Sequence, residues 1–239
     1  MIYMLVDKLA ETILTGENVG FFLGIPITGE NITGTSGEFM VKNPPIFPRS
    51  CNSLSVKPED VTVTSDSDGS TVTVTDIIED DEGRAVGFET DGSETTVTAS
   101  YVEELEPFLA QGVTVDIKQD TKEVSILNNA AKLTAYAGMT ITIKSDQILS
   151  ANGLEQFKKL MFYEESSETS ESVYRLMDKP LNLYGYMTFH VADETLGRIY
   201  FENVKMSPSL PAAKAGDNLT FDLEMTVAET PKLILPKGG

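Results

Sequence analysis

The chain has 239 residues, 18 basic against 37 acidic side chains, and a formal net charge of −19. That balance excludes a protein that grips nucleic acid by neutralising phosphates, and one that adheres to anionic membranes. Hydrophobic residues at 41% exclude a disordered acidic tail and leave room for one large domain, or one domain with an inserted module.

Residues 1–16 carry Leu5, Leu9 and Ile13, with Val6, Ala10 and Leu14, at helical spacing before Gly16, which predicts a short helix. Asp7 comes early and no basic run precedes the apolar residues, so no secretory signal is expected and synthesis in a cytoplasm follows. The most apolar run, residues 19–27, is too short to span a membrane and is broken by Gly24 and Pro26.

Residues 16–56 are rich in Gly, Pro, Asn and Thr, and neither a helix nor a long strand is predicted there. The segment reads as an extended arm anchored by Phe21, Phe22, Phe39, Ile46 and Phe47. A loop of that length is normally functional or ordered by a partner, so these five residues are assembly candidates. Residues 29–36 have the spacing of a phosphate-binding loop, but Thr35 stands where the lysine belongs, so no phosphate site is expected. Cys51 is the only cysteine, which excludes an intrachain disulfide and fits a reducing compartment.

Residues 57–110 read as an acidic hairpin module. Residues 61–64 and 71–75 alternate Val and Thr around the turn sequence SDSDGS. A strand over 85–89, a turn at Asp91-Gly92 and a strand over 95–101 follow, and then a helical turn over 102–110 interrupted at Pro107. Asp66-Ser67-Asp68-Gly69 has the look of a calcium loop, but its glycine comes too early, so a hairpin turn is expected. Between Glu59 and Glu106 fifteen acidic residues face a single basic one, Arg84. The negative charge is therefore regional. A solubilising surface and a functional field both fit that pattern.

Residues 111–239 read as the core. Strands are predicted over 113–118, 124–126 and 139–144. A helix is predicted over 153–163, with Leu154, Phe157, Leu160 and Met161 on one face and Asn152 as a cap. A second acidic cluster, Glu164, Glu165, Glu168 and Glu171, follows in a Ser-rich loop. Three amphipathic strands close the chain: 181–191, 198–206 and 218–227. Each has one apolar face, which predicts an antiparallel sheet covered on one side, with the helix as its natural cover. The fold class is mainly β: an antiparallel β-sandwich or half-barrel flanked by one helix, with the acidic hairpin module and the long N-terminal arm.

No catalytic constellation stands out. His190 is the only histidine and sits on the polar face of its strand, and no metal-ligand cluster is visible, so no catalytic, cofactor or metal site is expected. The sequons at Asn31 and Asn218 read as chance matches.

Residues 181–227 run LNLYGYMTFHVADETLGRIYFENVKMSPSLPAAKAGDNLTFDLEMTV. The succession is a strand, an acidic turn with Gly-Arg, a strand ending near Asn-Val, Pro-Ser-Leu, a Lys-Ala-Gly-Asp turn, and a closing amphipathic strand. With TVTASY at residues 96–101, this resembles the major tail (tail tube) proteins of tailed bacteriophages and related viruses. The resemblance covers about a fifth of the chain well and leaves residues before 56 and the acidic hairpins unaccounted for. It implies six copies in a ring whose inner sheets join into one barrel. Rings stack into a tube that encloses a tape-measure protein and lets DNA pass during ejection, so the chain's place is the virion tail. Its partners are further copies of itself and other tail proteins. A negative wall would let DNA slide, and Asp222 and Glu224 are the candidates to face the lumen, with the acidic module pointing outward. The rival readings are another virion component (capsid decoration protein, tail terminator or adaptor), a cell-surface adhesion module and, least favoured by the residues, an enzyme.

Overall fold

A computed structural model describes residues 19–50, 53–92, 94–105, 109–125, 132–148, 154–167, 172–191, 194–207, 210 and 220–236. The predicted helix over 1–16, and Cys51, lie outside them. The protein is mainly β with antiparallel sheets, and one α-helix stands among the described residues. The chain separates into two compact units. The first comprises residues 1–107, 182–202 and 231–239, and the second residues 108–181 and 203–230. These limits differ from divisions after residues 56 and 110, because strand pairing ties the supposed arm to the hairpins and to part of the final third.

In the first unit the larger sheet contains β1 (Val19–Thr33), β3 (Thr62–Ser65), β4 (Thr71–Val72), β7 (Thr96–Leu105), β12 (Leu181–Val191), the first half of β13 (Glu194–Ser207) and β15 (Lys232–Ile234). Its order is β4-β3-β7-β1-β12-β13, with β15 on β13. A smaller sheet runs β2-β6-β5, from Glu38–Met40, Ala85–Thr90 and Val74–Glu79 respectively. Ile32, Val63, Val97, Ala99 and Tyr101 from the larger sheet share one core with Phe39, Ala85 and Phe88 from the smaller one.

The expected arm is in fact mostly strand. β1 is fifteen residues long and pairs with β12 over Val19–Gly24 and with β7 over Leu23–Thr33. Its Gly and Pro residues, which read as loop punctuation, have specific places in it. A Cβ at Gly24 would lie 2.6 Å from Val102 Cγ1 and 2.9 Å from the Phe47 ring, so only glycine lets the strand approach. Pro26 comes after the pairing with β12 has ended, where its missing N–H removes no ladder bond on that side. The phosphate-loop spacing falls within β1 and the following turn, where Ser36 and Gly37 take φ of 57° and 85°. The Asp66–Gly69 segment is the expected hairpin turn, with the Gly69 N–H donating to the Ser65 carbonyl at 3.0 Å.

In the second unit, Asn203–Ser207 of β13 continues the order β13-β14-β9-β8 with β14 (Thr220–Val227), β9 (Lys132–Ile148) and β8 (Leu109–Ser125). β8 and β9 are seventeen residues each and pair along their whole length. The three strands predicted between 113 and 144 are thus one long hairpin. The predicted helical turn over 102–110 is likewise strand on both sides, with β7 ending at Leu105 and β8 starting at Leu109. Helix α1 (Leu154–Met161) buries Phe157, Leu160 and Met161, as its spacing predicts, but Leu154, expected on the same face, is 52% exposed in the first turn, and residues 162 and 163, expected to be helical, open the hairpin β10 (Phe162–Ser167) and β11 (Ser172–Leu176).

β13 changes partner at Asn203. Residues 198–200 pair with β15 and residues 204–207 with β14. Asn203 has φ of 51°, a left-handed conformation that asparagine tolerates better than most residues. Its side-chain amide donates to Glu229, and its carbonyl accepts from the Ala228 N–H at 3.3 Å. No helix among the described residues is long and apolar enough to cross a membrane.

Candidate functional site

Three of the five assembly candidates are enclosed by their own chain. Phe39 and Phe47 are completely buried and Ile46 nearly so. Phe39 stacks on Phe88 at 5.5 Å, and Phe47 lies among Tyr184, Tyr186 and Tyr200 at 6.1, 5.2 and 6.3 Å. These residues gain their partners on folding rather than on assembly, which corrects the arm reading. Phe21 and Phe22, on β1, are half-buried, and Phe22 stacks on Tyr186 at 4.8 Å.

What holds residues 41–50 and 53–60 in place is hydrogen bonding that sequence pattern does not reveal. The N–H groups of Val41, Ile46 and Phe47 donate to Val86, Ala85 and Val102, and the Glu104 N–H donates to Pro45. Asp60 is fully buried and accepts from the N–H groups of Ser50 and Lys57. The Leu54 carbonyl accepts from Arg198, and the Ser53 carbonyl from the Tyr200 hydroxyl at 2.8 Å. This strap therefore belongs to the first unit's framework.

At one end of the strap is a cleft built around Glu104. Glu104 Oε2 accepts from the Tyr186 hydroxyl at 2.8 Å, and Arg198 lies over the Tyr186 ring with its guanidinium carbon 4.7 Å from the centroid. Burial pushes the Glu104 carboxyl above its ordinary range, against the opposing pull of the Tyr186 hydrogen bond and the Arg198 charge. Burial and the neighbouring carboxylate push the Tyr186 phenol far up. Sequence alternation placed Tyr186 on the polar face of its strand. It is buried there, so β12 is covered on both faces around this residue.

The acids of residues 59–106 divide by role. Asp60 and Glu103 are buried, and Glu104 is largely so. Asp80 caps its own turn, accepting from the N–H groups of Glu82 and Arg84 and pairing with the Arg84 guanidinium at 2.7 Å. The Arg84 hydrogen bonds hold the Asp80 carboxyl below its ordinary range. Glu59, Asp66, Asp68, Asp76, Glu79, Asp81, Glu82, Glu89 and Asp91 are exposed.

In the second unit, Asp222 and Glu224 are exposed, as the alternation of β14 predicts, while Leu223, Met225 and Val227 are buried. Register places Glu224 opposite Lys144, with the two side chains 3.6 Å apart, and Thr226 opposite both Thr142 and Lys205. The face is polar, but it mixes Lys144 and Lys205 with the two acids and is not uniformly negative. At the end of the sheet, β8 pairs with β9 and with no other described strand. Ile117 on this edge is 61% exposed. Among the described residues no group of three or more His, Cys, Asp or Glu is placed to hold a metal ion. In comparisons with known proteins, no family model and no curated protein matches this chain.

Proposed function

We propose that this chain is a virion structural protein, a tail-tube subunit that assembles into stacked rings, six copies to a ring, through which DNA passes during ejection. The observation that carries this reading is the edge of the second unit. A seventeen-residue strand with no second partner among the described strands, and an isoleucine 61% exposed on it, is a surface that monomeric proteins normally shorten, bulge or cover. A strand from a second copy satisfies its backbone groups, and closing sheets around a ring removes the edge altogether. The resemblance over residues 181–227 falls on β12, β13 and β14, the last of which lies in the same sheet.

The polar face with Asp222, Glu224, Lys144 and Lys205 suits a lumen in a different way from a negative wall. Lysine and carboxylate interleaved at short range leave little net field, so a passing polyanion is neither gripped nor strongly repelled. The exposed acids of the first unit take the outer surface in this reading. The protein acts as structure and not as a catalyst, with other tail proteins as its further partners.

The test is direct. Negative-stain microscopy and native mass spectrometry of the purified chain are expected to find six-membered rings or tubes, and a chain that stays monomeric under all concentrations and seeding overturns the proposal. Ile117→Lys is expected to abolish ring formation while changing monomer stability by less than about 0.5 kcal/mol, since the side chain is mostly exposed.

A further inference from the structure

Two strands of the second unit are incomplete, and their open sides match. On β9, Ile141 and Ile143 are buried, and register places Ile117 and Val115 of β8 opposite them. Burial fades along that row: Val115 is half-buried and Ile117 is mostly exposed. The apolar face of the sheet is therefore unfinished at β8. On the other face Asp116 and Lys118 are exposed, and neither has an ion-pair partner among the described residues.

β10 and β11 form a two-stranded sheet joined to no other described strand. Every residue of β11 is exposed, Val173, Tyr174 and Leu176 included. A two-stranded hairpin is marginally stable in water by itself, and large apolar side chains on both of its faces mark it as a surface for a partner. Alternation puts Tyr174 and Leu176 on one face of β11, and Val173 and Arg175 on the other. Arg175 pairs with Glu165 of β10 at 2.5 Å.

We propose that β11 of one copy adds, antiparallel, to the edge of β8 in the next, with Tyr174 opposite Ile117. This inference rests on the reading above that a second copy completes the β8 edge, and it names the segment that does so. In that register Leu176 meets Val115, and the apolar row begun by Ile143 and Ile141 continues into the hairpin. Arg175 meets Asp116 on the polar face, so the charges complement each other as well. A slip by one residue would put Arg175 opposite Ile117 and undo both matches. β8 and β11 are different patches, so the contact runs head to tail. Each copy donates one strand and receives another, and such a contact makes rings where its rotation closes. Pairing of β8 with β8 would stop at a two-fold dimer.

A mixing experiment on full chains tests this. Ile117→Lys spoils the receiving edge, and the pair Tyr174→Glu and Leu176→Glu spoils the donated strand while leaving Lys158, now 5.0 Å from the Tyr174 ring, beside a carboxylate. Each chain alone is expected to associate at least about tenfold more weakly than the parent and to run as a monomer in native mass spectrometry. Their equimolar mixture is expected to give a one-to-one heterodimer and nothing larger, because one intact β8 then meets one intact β11. If the double hairpin variant fails to fold, Arg175→Glu takes its place, on a side chain 62% exposed. Asp116→Lys in the same chain is then expected to restore association to within about threefold of the parent. Parental assembly by a folded hairpin variant overturns this inference and leaves the ring reading standing, and so does a mixture that stays monomeric while the parent assembles. Open filaments with the same mixing behaviour support the strand assignment and overturn the six-membered ring. A parent chain that is monomeric at every concentration overturns both.

Discussion

The two units use the same material to opposite ends. In the first, Tyr101, Val102 and Glu103 are buried in succession, because β7 has the smaller sheet on one face and the aromatic group of Phe47, Tyr186 and Tyr200 on the other. In the second, β14 buries Leu223, Met225 and Val227 and exposes Asp222, Glu224 and Thr226 between them. The carboxylates follow suit. The first unit takes Asp60, Glu103 and Glu104 into its interior, whereas the second leaves Glu224 in solvent beside Lys144. Two-sided burial makes a strand hard to read and costly to alter; one-sided burial makes it legible and tolerant.

Substitutions in the first unit break that contrast if they prove mild. Phe47→Ala is expected to cost about 3–5 kcal/mol, because it empties a fully buried aromatic site, and chemical denaturation of the monomer measures it. An assembly anchor would leave the monomer unchanged and weaken only the oligomer. Asp60→Ala comes next, at about 2 kcal/mol, since it removes a fully buried carboxylate that accepts from the N–H groups of Ser50 and Lys57. Asp60→Asn, which keeps one acceptor oxygen, is expected to recover part of that loss.

Glu104 sharpens the comparison through pH. Its carboxyl is raised on folding, so between the ordinary and the raised value the folded chain holds a proton that the unfolded chain has lost. This group's contribution to stability is therefore full below the ordinary glutamate range and is lost as pH rises through the raised value. Glu104→Gln removes the buried charge and keeps an acceptor for Tyr186, so its Tm is expected to exceed that of the parent at pH 8 and to match it more closely near pH 4. The smallest effect belongs to the second unit. Lys144→Ala breaks an ion pair whose side chains are 55% and 61% exposed, and is expected to change stability by less than about 0.5 kcal/mol. A large loss there would place hidden burial on the face that the tube reading gives to the lumen.

What the sequence made legible follows the same line. Strict alternation over 222–227 and the Phe157, Leu160, Met161 spacing name the right elements and the right buried residues. The acidic turns between Thr/Val runs fall where expected, as the β3–β4 pairing of Val63 with Val72 attests. β1 was illegible because its glycines and proline answer to tertiary contacts, Gly24 to Phe47 and Val102 above all. The Glu104 cleft was illegible because its parts come from positions near 22, 45, 84, 104, 186 and 198, and nothing local marks a carboxylate for burial. The stretch that holds Glu103 and Glu104 reads in the sequence as a helical turn over 102–110, whereas both residues lie in β7.

One consequence of the aromatic packing is optical. The chain has eight tyrosines and no tryptophan, so its near-ultraviolet circular dichroism rests on tyrosine with a smaller phenylalanine contribution. Tyr101, Tyr186 and Tyr200 are locked in the first unit, while Tyr163 and Tyr174 of the second are exposed and contribute weakly. Among the tyrosines whose burial is described, that band thus reports mainly on the first unit. A single tryptophan placed at Phe157, in the helix of the other half, would supply a second colour and let the melting of each half be followed in one cuvette without labels.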